Sequence, residues 1–199
     1  MYFRDSFLPV MPLHILKKKL RTGDVVAYTQ AGFRGRLVKI FSKEAWIHLG
    51  LVWRRKTGIY VVEFFNELED REGKTLRILS FEDWCSRNSF RTLGVVFTGR
   101  RKRISEDFFI KNLLKYINVT IEENILFIWL RSLKRKKEIC FKNKMSCSEF
   151  VSHMLQDLGI LQKDICPCCF LPWEIFSKTY SQSLNFTHYI IETQNILCF

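Results

Sequence analysis

Trp46-Ile47-His48-Leu49-Gly50-Leu51-Val52-Trp53, then Arg54-Arg55-Lys56-Thr57, then Gly58-Ile59-Tyr60-Val61-Val62-Glu63-Phe64-Phe65 is a pair of aromatic and β-branched runs around a short polar loop. Such a pattern reads as a β-hairpin. Alternation puts Trp46, His48, Gly50 and Val52 on one face of the first strand, and Ile59, Val61, Glu63 and Phe65 on one face of the second. If Trp53 pairs with Gly58, partners have numbers that sum to 111, and His48 falls directly opposite Glu63 with β-carbons about 5 Å apart. An imidazole and a carboxylate among bulky apolar neighbours would then satisfy one another, which offsets the cost of burying either alone. A one-residue slip would put the two on opposite faces.

Outward from the hairpin, further strands are expected at Asp24 to Gln30, Thr75 to Leu79 and Leu93 to Thr98, with a short helix at Phe81 to Arg87. Asp24, following Gly23, reads as a residue of the turn into its strand rather than a catalytic carboxylate. After Arg103 the pattern changes. Ser105, Glu106 and Asp107 form a helix start, and Phe108, Phe109, Leu113, Tyr116 and Ile117 recur at helical spacing. A second helix is expected over Ile121 to Leu133. A third begins near Cys147, with an apolar stripe of Phe150, Val151, Met154, Leu155 and Leu158 and a stop at Gly159. A β-rich half followed by a helical half implies an α+β fold. The expected division is an N-terminal arm over 1–22 and one domain over 23–199.

Composition narrows the function classes. With 199 residues, 47% hydrophobic and eighteen Phe, the chain can build a bulky packed core, which excludes intrinsic disorder. The net charge of +12 gathers in Lys17 to Lys19, Arg54 to Lys56, Arg100 to Arg103 and Arg131 to Lys137. Such clusters either keep a surface solvated or attract phosphate, on an anionic membrane or in nucleic acid. Nucleic acid is the weaker reading, because the aromatics fall mostly at core-periodic positions instead of interleaving with the basic residues. No apolar run approaches the roughly 18 to 20 residues of a membrane span, and Pro9, Pro12 and His14 interrupt the best signal-like stretch. Seven Cys without a disulfide-like framework fit a reducing compartment, such as the cytoplasm.

Cys147 stands at the start of its helix in Ser146-Cys147-Ser148-Glu149-Phe150-Val151. Free backbone N–H groups and the positive end of the helix dipole stabilise a thiolate there, and an imidazolium beside it lowers the thiol pKa further. The same N–H groups can receive an oxyanion. Taken singly, each residue has an inert explanation: a packed thiol, a satisfied strand His, a solvated Glu. Together they are as consistent with a nucleophile, a base and an orienting carboxylate as with three structural residues.

Gly23-Asp24-Val25-Val26, His48-Leu49-Gly50-Leu51-Val52, Val61-Val62-Glu63 and Cys147-Ser148-Glu149-Phe150-Val151, in that order, resemble the YaeF/YiiX-like branch of the NlpC-type papain-like superfamily. In that branch the fold is circularly permuted, so that His and the acidic residue precede the Cys. Poxvirus members of the permuted group show a similar order, so a large-DNA-virus origin is compatible with it. The resemblance runs from about Gly23 to about Trp173 and implies a catalytic set of Cys147 (nucleophile), His48 (general base) and Glu63 (third polar residue). The helix end Leu158-Gly159-Ile160-Leu161 and Leu171-Pro172 also look like the family's pattern. The Gly-containing segment that usually leads into the Cys helix is replaced by the apolar, then basic, Ile125 to Lys137, a departure that bears on specificity.

The resemblance thus implies a thiol hydrolase or acyltransferase, cofactor-free, acting on a peptide or lipid-like acyl substrate. The competing class is a non-catalytic module using its basic clusters on anionic membrane or nucleic acid. Cys166, Cys168 and Cys169 crowd together, and a zinc site completed by Cys198, His188 or His153 is conceivable. The usual paired ligand spacing is absent, so free or packing thiols are expected instead. The oligomeric state is not fixed by the sequence.

Overall fold

The computed structural model of the chain describes residues 9–29, 46–65, 76–99, 103–121, 144–163, 166–167, 172 and 187–192. Nine strands lie among them: β1 (Val10–Pro12), β2 (Val25–Thr29), β3 (Trp46–Arg54), β4 (Ile59–Phe64), β5 (Leu76–Ser80), β6 (Leu93–Phe97), β7 (Thr120–Ile121), β8 (Lys144–Met145) and β9 (Thr187–Glu192). The α-helices are α1 (Leu13–Lys19), α2 (Phe81–Arg87), α3 (Glu106–Leu113) and α4 (Cys147–Asp157), with a 3-10 turn over Leu114–Tyr116. Seven strands form one sheet in the order β1-β9-β6-β2-β3-β4-β5, antiparallel throughout except for the β1–β9 pair. The fold is α+β, an antiparallel sheet packed against the helix that begins at Cys147, as expected.

Strand alternation gives the sheet two apolar faces. Val25, Leu49, Leu51, Val62, Phe64 and Val96 face α3 and α4, where Phe109, Phe150, Val151, Met154 and Leu155 meet them. Val26, Val52, Val61, Leu93 and Val95 face α1 and α2, against Leu16, Leu20, Phe81 and Trp84. The Phe150 ring stands edge-on to Phe64, with centroids 4.5 Å apart, and fixes α4 across β3 and β4. Leu16 and Leu20 are fully buried, so the described part of the N-terminal arm is packed against the second face, and β1 extends the sheet.

The hairpin register differs from the expected one. Leu51 pairs with Val62 and Trp53 with Tyr60, so partners sum to 113 and not 111. The loop is Arg55 to Gly58, closed by the Arg55 N–H donating to the Gly58 carbonyl at 2.8 Å, where Arg54 to Thr57 was expected. The displacement is two residues, and because side chains alternate with period two, the face assignments survive it; the exception is Trp46, which an irregularity at Ile47 turns to the opposite face, with Leu49 and Leu51. Ile121 lies in β7, paired in parallel with β8, instead of opening a helix. The rest of the helix expected over 121–133 lies outside the described residues.

Candidate active site

Glu63 and His48 are diagonal rather than direct neighbours. Continuing the register one step beyond Leu51 and Val62 sets Gly50 opposite Glu63. A β-carbon at Gly50 would stand 2.6 Å from Val61 Cγ1 and 3.5 Å from Glu63 Cβ, so only glycine leaves the face open for the carboxylate to lean towards His48. On the other side of β3, Tyr28 pairs with His48 but Thr29 pairs with Trp46, which leaves Ile47 as the extra residue of a β-bulge. Bulges of this kind re-aim neighbouring side chains.

His48 Nε2 donates to Glu63 Oε2 at 3.0 Å. A carboxylate only accepts, so Nε2 carries the proton and Nδ1 is the nitrogen left for the sulfur. The imidazole and the Cys147 sulfur interact electrostatically, each shifting the other's pKa. Cys147 Sγ also lies 3.9 Å from the Ile47 carbonyl, against the bulge. The structure therefore brings the three sequence-predicted residues together.

Three further residues hold the carboxylate or the ring. Trp84 Nε1 of α2 donates to Glu63 Oε2 at 3.0 Å, and Arg77 of β5 donates to Oε1 through Nε at 2.9 Å and Nη2 at 2.5 Å. Tyr28 stacks on the imidazole with centroids 4.6 Å apart and planes 19° from parallel. None of the three was singled out in the sequence. Arg77 was detectable, since it is the direct cross-strand partner of Glu63 once β4 and β5 are paired.

Helix α4 is pinned at its start by a capping box. Ser146 Oγ accepts from the Glu149 N–H at 3.2 Å, and the Glu149 side chain accepts from the Ser146 N–H at 3.4 Å. Cys147 is the first helical residue and Ser148 the second, so their N–H groups have no intrahelical acceptor.

The electrostatics follow from these contacts. Burial opposes the Glu63 carboxylate, but the His48 hydrogen bond and charge, with Arg77, outweigh it and bring its pKa from 4.5 down to about 2. Burial likewise disfavours an imidazolium at His48. The Tyr28 hydroxyl, the Cys147 sulfur and Glu63 outweigh that and hold His48 well above its ordinary range. For Cys147, burial raises the thiol pKa, while the His48 charge and hydrogen bond and the backbone N–H groups of Leu49 and Ser148 bring it below its ordinary value. Both partners therefore shift towards a thiolate–imidazolium pair.

No protein-family model and no curated protein matches the chain. Among solved structures it is similar to one described as the metalloprotein YiiX from Escherichia coli O157:H7, at 13% identity and a TM-score of 0.48. The alignment covers 69% of this chain and 66% of that one, just under two thirds of the YiiX chain. A likeness so distant leaves activity and metal content as properties of YiiX. Among the described residues no group of three or more His, Cys, Asp or Glu is arranged to hold a metal ion. Cys166 is half-buried, and Cys168, Cys169 and Cys198 lie outside the described residues. Asp24 accepts from the Arg21 N–H at 2.7 Å, the turn role read for it from sequence. Among the described residues no helix is long and apolar enough to cross a membrane.

Proposed function

We propose that the chain is a cysteine-dependent hydrolase or acyltransferase of the circularly permuted papain-like kind, cleaving an amide, ester or thioester bond of a peptide or lipid-like substrate. The observation that carries the reading is the buried His48–Glu63 hydrogen bond together with the Cys147 sulfur at the first turn of α4, against the Ile47 carbonyl next to His48 and with its pKa lowered by the His48 charge. His48 Nδ1 takes the thiol proton and the thiolate adds to the carbonyl carbon. The Ser148 N–H, released from the sulfur as its charge is spent, is placed to stabilise the oxyanion. As the tetrahedral species collapses, the imidazolium protonates the leaving nitrogen, oxygen or sulfur, and the acyl group remains on Cys147. Water or another acceptor then gives its proton to His48 and takes the acyl group. Glu63 is a positioning residue: it fixes the tautomer and stabilises the imidazolium.

The test is the rate of alkylation by iodoacetamide at neutral pH, followed cysteine by cysteine by peptide mass spectrometry. Cys147 should react fastest. Cys85, whose thiol burial pushes up to about 12, is an unreactive internal reference. His48→Ala should slow Cys147 labelling and move its pH dependence up towards the ordinary thiol pKa of about 8.5. Equal rates in the two proteins would refute the ion pair. Salt-sensitive polyanion binding without selective labelling would favour the binding-module reading.

A further inference from the structure

The opposite end of the sheet holds a second feature. β3 carries His48 near its start and Arg54 at its end, about 20 Å apart at the 3.3 Å rise of a strand residue. Around that far end is a cavity of about 790 Å³ between the end of α1, the β3–β4 hairpin, and the ends of β6 and β9. Among the described residues six basic ones line it: Lys18, Lys19, Arg21, Arg54, Arg55 and Arg103. Among the described lining residues the sole carboxylate is that of Asp24. Its Oδ2 accepts from the Arg21 N–H, and its Oδ1 accepts from the Thr98 N–H at 3.0 Å and from Thr98 Oγ1 at 3.3 Å. Asp24 thus serves to tie the loop before β2 to the end of β6.

Arg54 and Arg55 are held in place by contacts. Arg54 Nη1 donates to the carbonyls of Lys17 and Leu20, at 2.8 and 2.9 Å, which fixes the guanidinium without neutralising it. Arg55 lies 4.7 Å over the Trp53 ring and donates to Glu106 at 2.7 Å. Lys18, Lys19 and Arg103 are exposed and have no carboxylate partner among the described residues. Convergence of like charges on one concavity costs free energy that a bound anion returns. Phe97 and Tyr189, edge to face with centroids 5.5 Å apart, add an aromatic wall. The volume suits a small ligand, and Arg forks beside Lys point charges suit phosphate.

We propose that this cavity binds a polyphosphorylated anion, either a free metabolite or the headgroup of a lipid, at a site separate from Cys147. The proposal stands independently of the chemistry at Cys147.

Titration of the full chain with inositol hexakisphosphate, at about 0.15 M salt to suppress diffuse attraction, tests it. The triple variant Lys18→Ala/Lys19→Ala/Arg103→Ala removes three exposed charges from the lining. The charge-matched variant Lys111→Ala/Lys144→Ala/Lys163→Ala removes three exposed charges elsewhere. The cavity variant should lose at least about tenfold in affinity, and the matched variant under about threefold. Arg103→Gln alone, with a melting curve unchanged from wild type, should give an intermediate loss. Phosphatidylcholine vesicles with and without phosphatidylinositol 4,5-bisphosphate separate the two sources. Vesicle binding that needs the phosphoinositide and is competed by inositol hexakisphosphate marks a lipid headgroup. Hexakisphosphate binding without vesicle binding marks a soluble ligand. Equal losses in the two triple variants, or no binding of either probe by the wild type, overturns the proposal.

Discussion

Glu63→Gln keeps the shape of the side chain and removes its charge, and its consequences can be worked out contact by contact. The carboxylate accepts from four donors: His48 Nε2 and Trp84 Nε1 at one oxygen, Arg77 Nε and Nη2 at the other. An amide offers one acceptor end and one donor end, so either the arginine or the imidazole and indole must face an NH₂ group. The same contacts hold the Glu63 pKa down from 4.5 to about 2, which corresponds to about 3 kcal/mol of stability contributed by the ionised group. Because the folded pKa is depressed, this contribution is fully present above the unfolded value of 4.5 and disappears as pH falls through about 2. At neutral pH the variant should melt about 6–12 °C below wild type, at roughly 2–4 °C per kcal/mol for a chain of this length. The gap should narrow as the pH is lowered from 5 to 3 (circular dichroism melts, about half a pH unit apart). Equal melting temperatures at pH 7, or a gap that does not shrink in acid, would refute the assignment of Glu63 as a buried, charged anchor. Turnover should fall less than in Cys147→Ala, and by less than the ~10⁴ that an acid-to-amide change costs a serine triad, because the Cys147–His48 ion pair forms without an external base. A folded variant with wild-type turnover would leave a Cys147–His48 dyad.

Two further substitutions test how the site is positioned. Gly50→Ala should destabilise by about 1–3 kcal/mol, since its β-carbon meets Val61 Cγ1 at 2.6 Å and Val26 Cγ2 at 3.3 Å in a packed sheet; a neutral urea midpoint would contradict the close approach. Ser146→Ala removes the acceptor of the Glu149 N–H and should cost about 1 kcal/mol, with Ser146→Asn restoring most of it; failure of Asn to rescue would show that the hydroxyl acts through something other than the cap.

How much of this was readable in advance depends on sequence distance. The hairpin brings residues 48 and 63 together through local alternation, and alternation tolerated the two-residue error in the loop because an even slip preserves faces. Sequence could not decide between Arg54 and Arg55 as the first loop residue, since both are basic and the closing bond is between backbone groups. The helix start at Cys147 was legible because Ser146 and Glu149 form a capping signature and Gly159, with φ of 67°, sits where a left-handed residue ends the helix. Arg77 was within reach once β4 and β5 are paired, but Trp84 and Tyr28 were not legible, because they reach the site through the docking of α2 and the order of strands in the sheet, which no local pattern encodes.

Those three residues change what the candidate triad means. A buried carboxylate beside a single imidazole has an alternative: it can take the proton back and leave both groups neutral. Arg77 closes that route, since its permanent charge on Oε1 keeps Glu63 ionised whatever the state of His48. The Trp84 N–H occupies the remaining lone-pair direction of Oε2 and holds that oxygen towards Nε2. With the thiol ionised, charge then alternates along Cys147, His48, Glu63 and Arg77, and each member is stabilised by its neighbours while the set carries no net charge. A buried ion pair alone is weak evidence for stability, and a chain of four groups of alternating charge and no net charge avoids most of the desolvation cost that makes it so. Arg77 is therefore as much a part of the positioning apparatus as Glu63, acting three steps from the sulfur by fixing the charge of the group that fixes the imidazole.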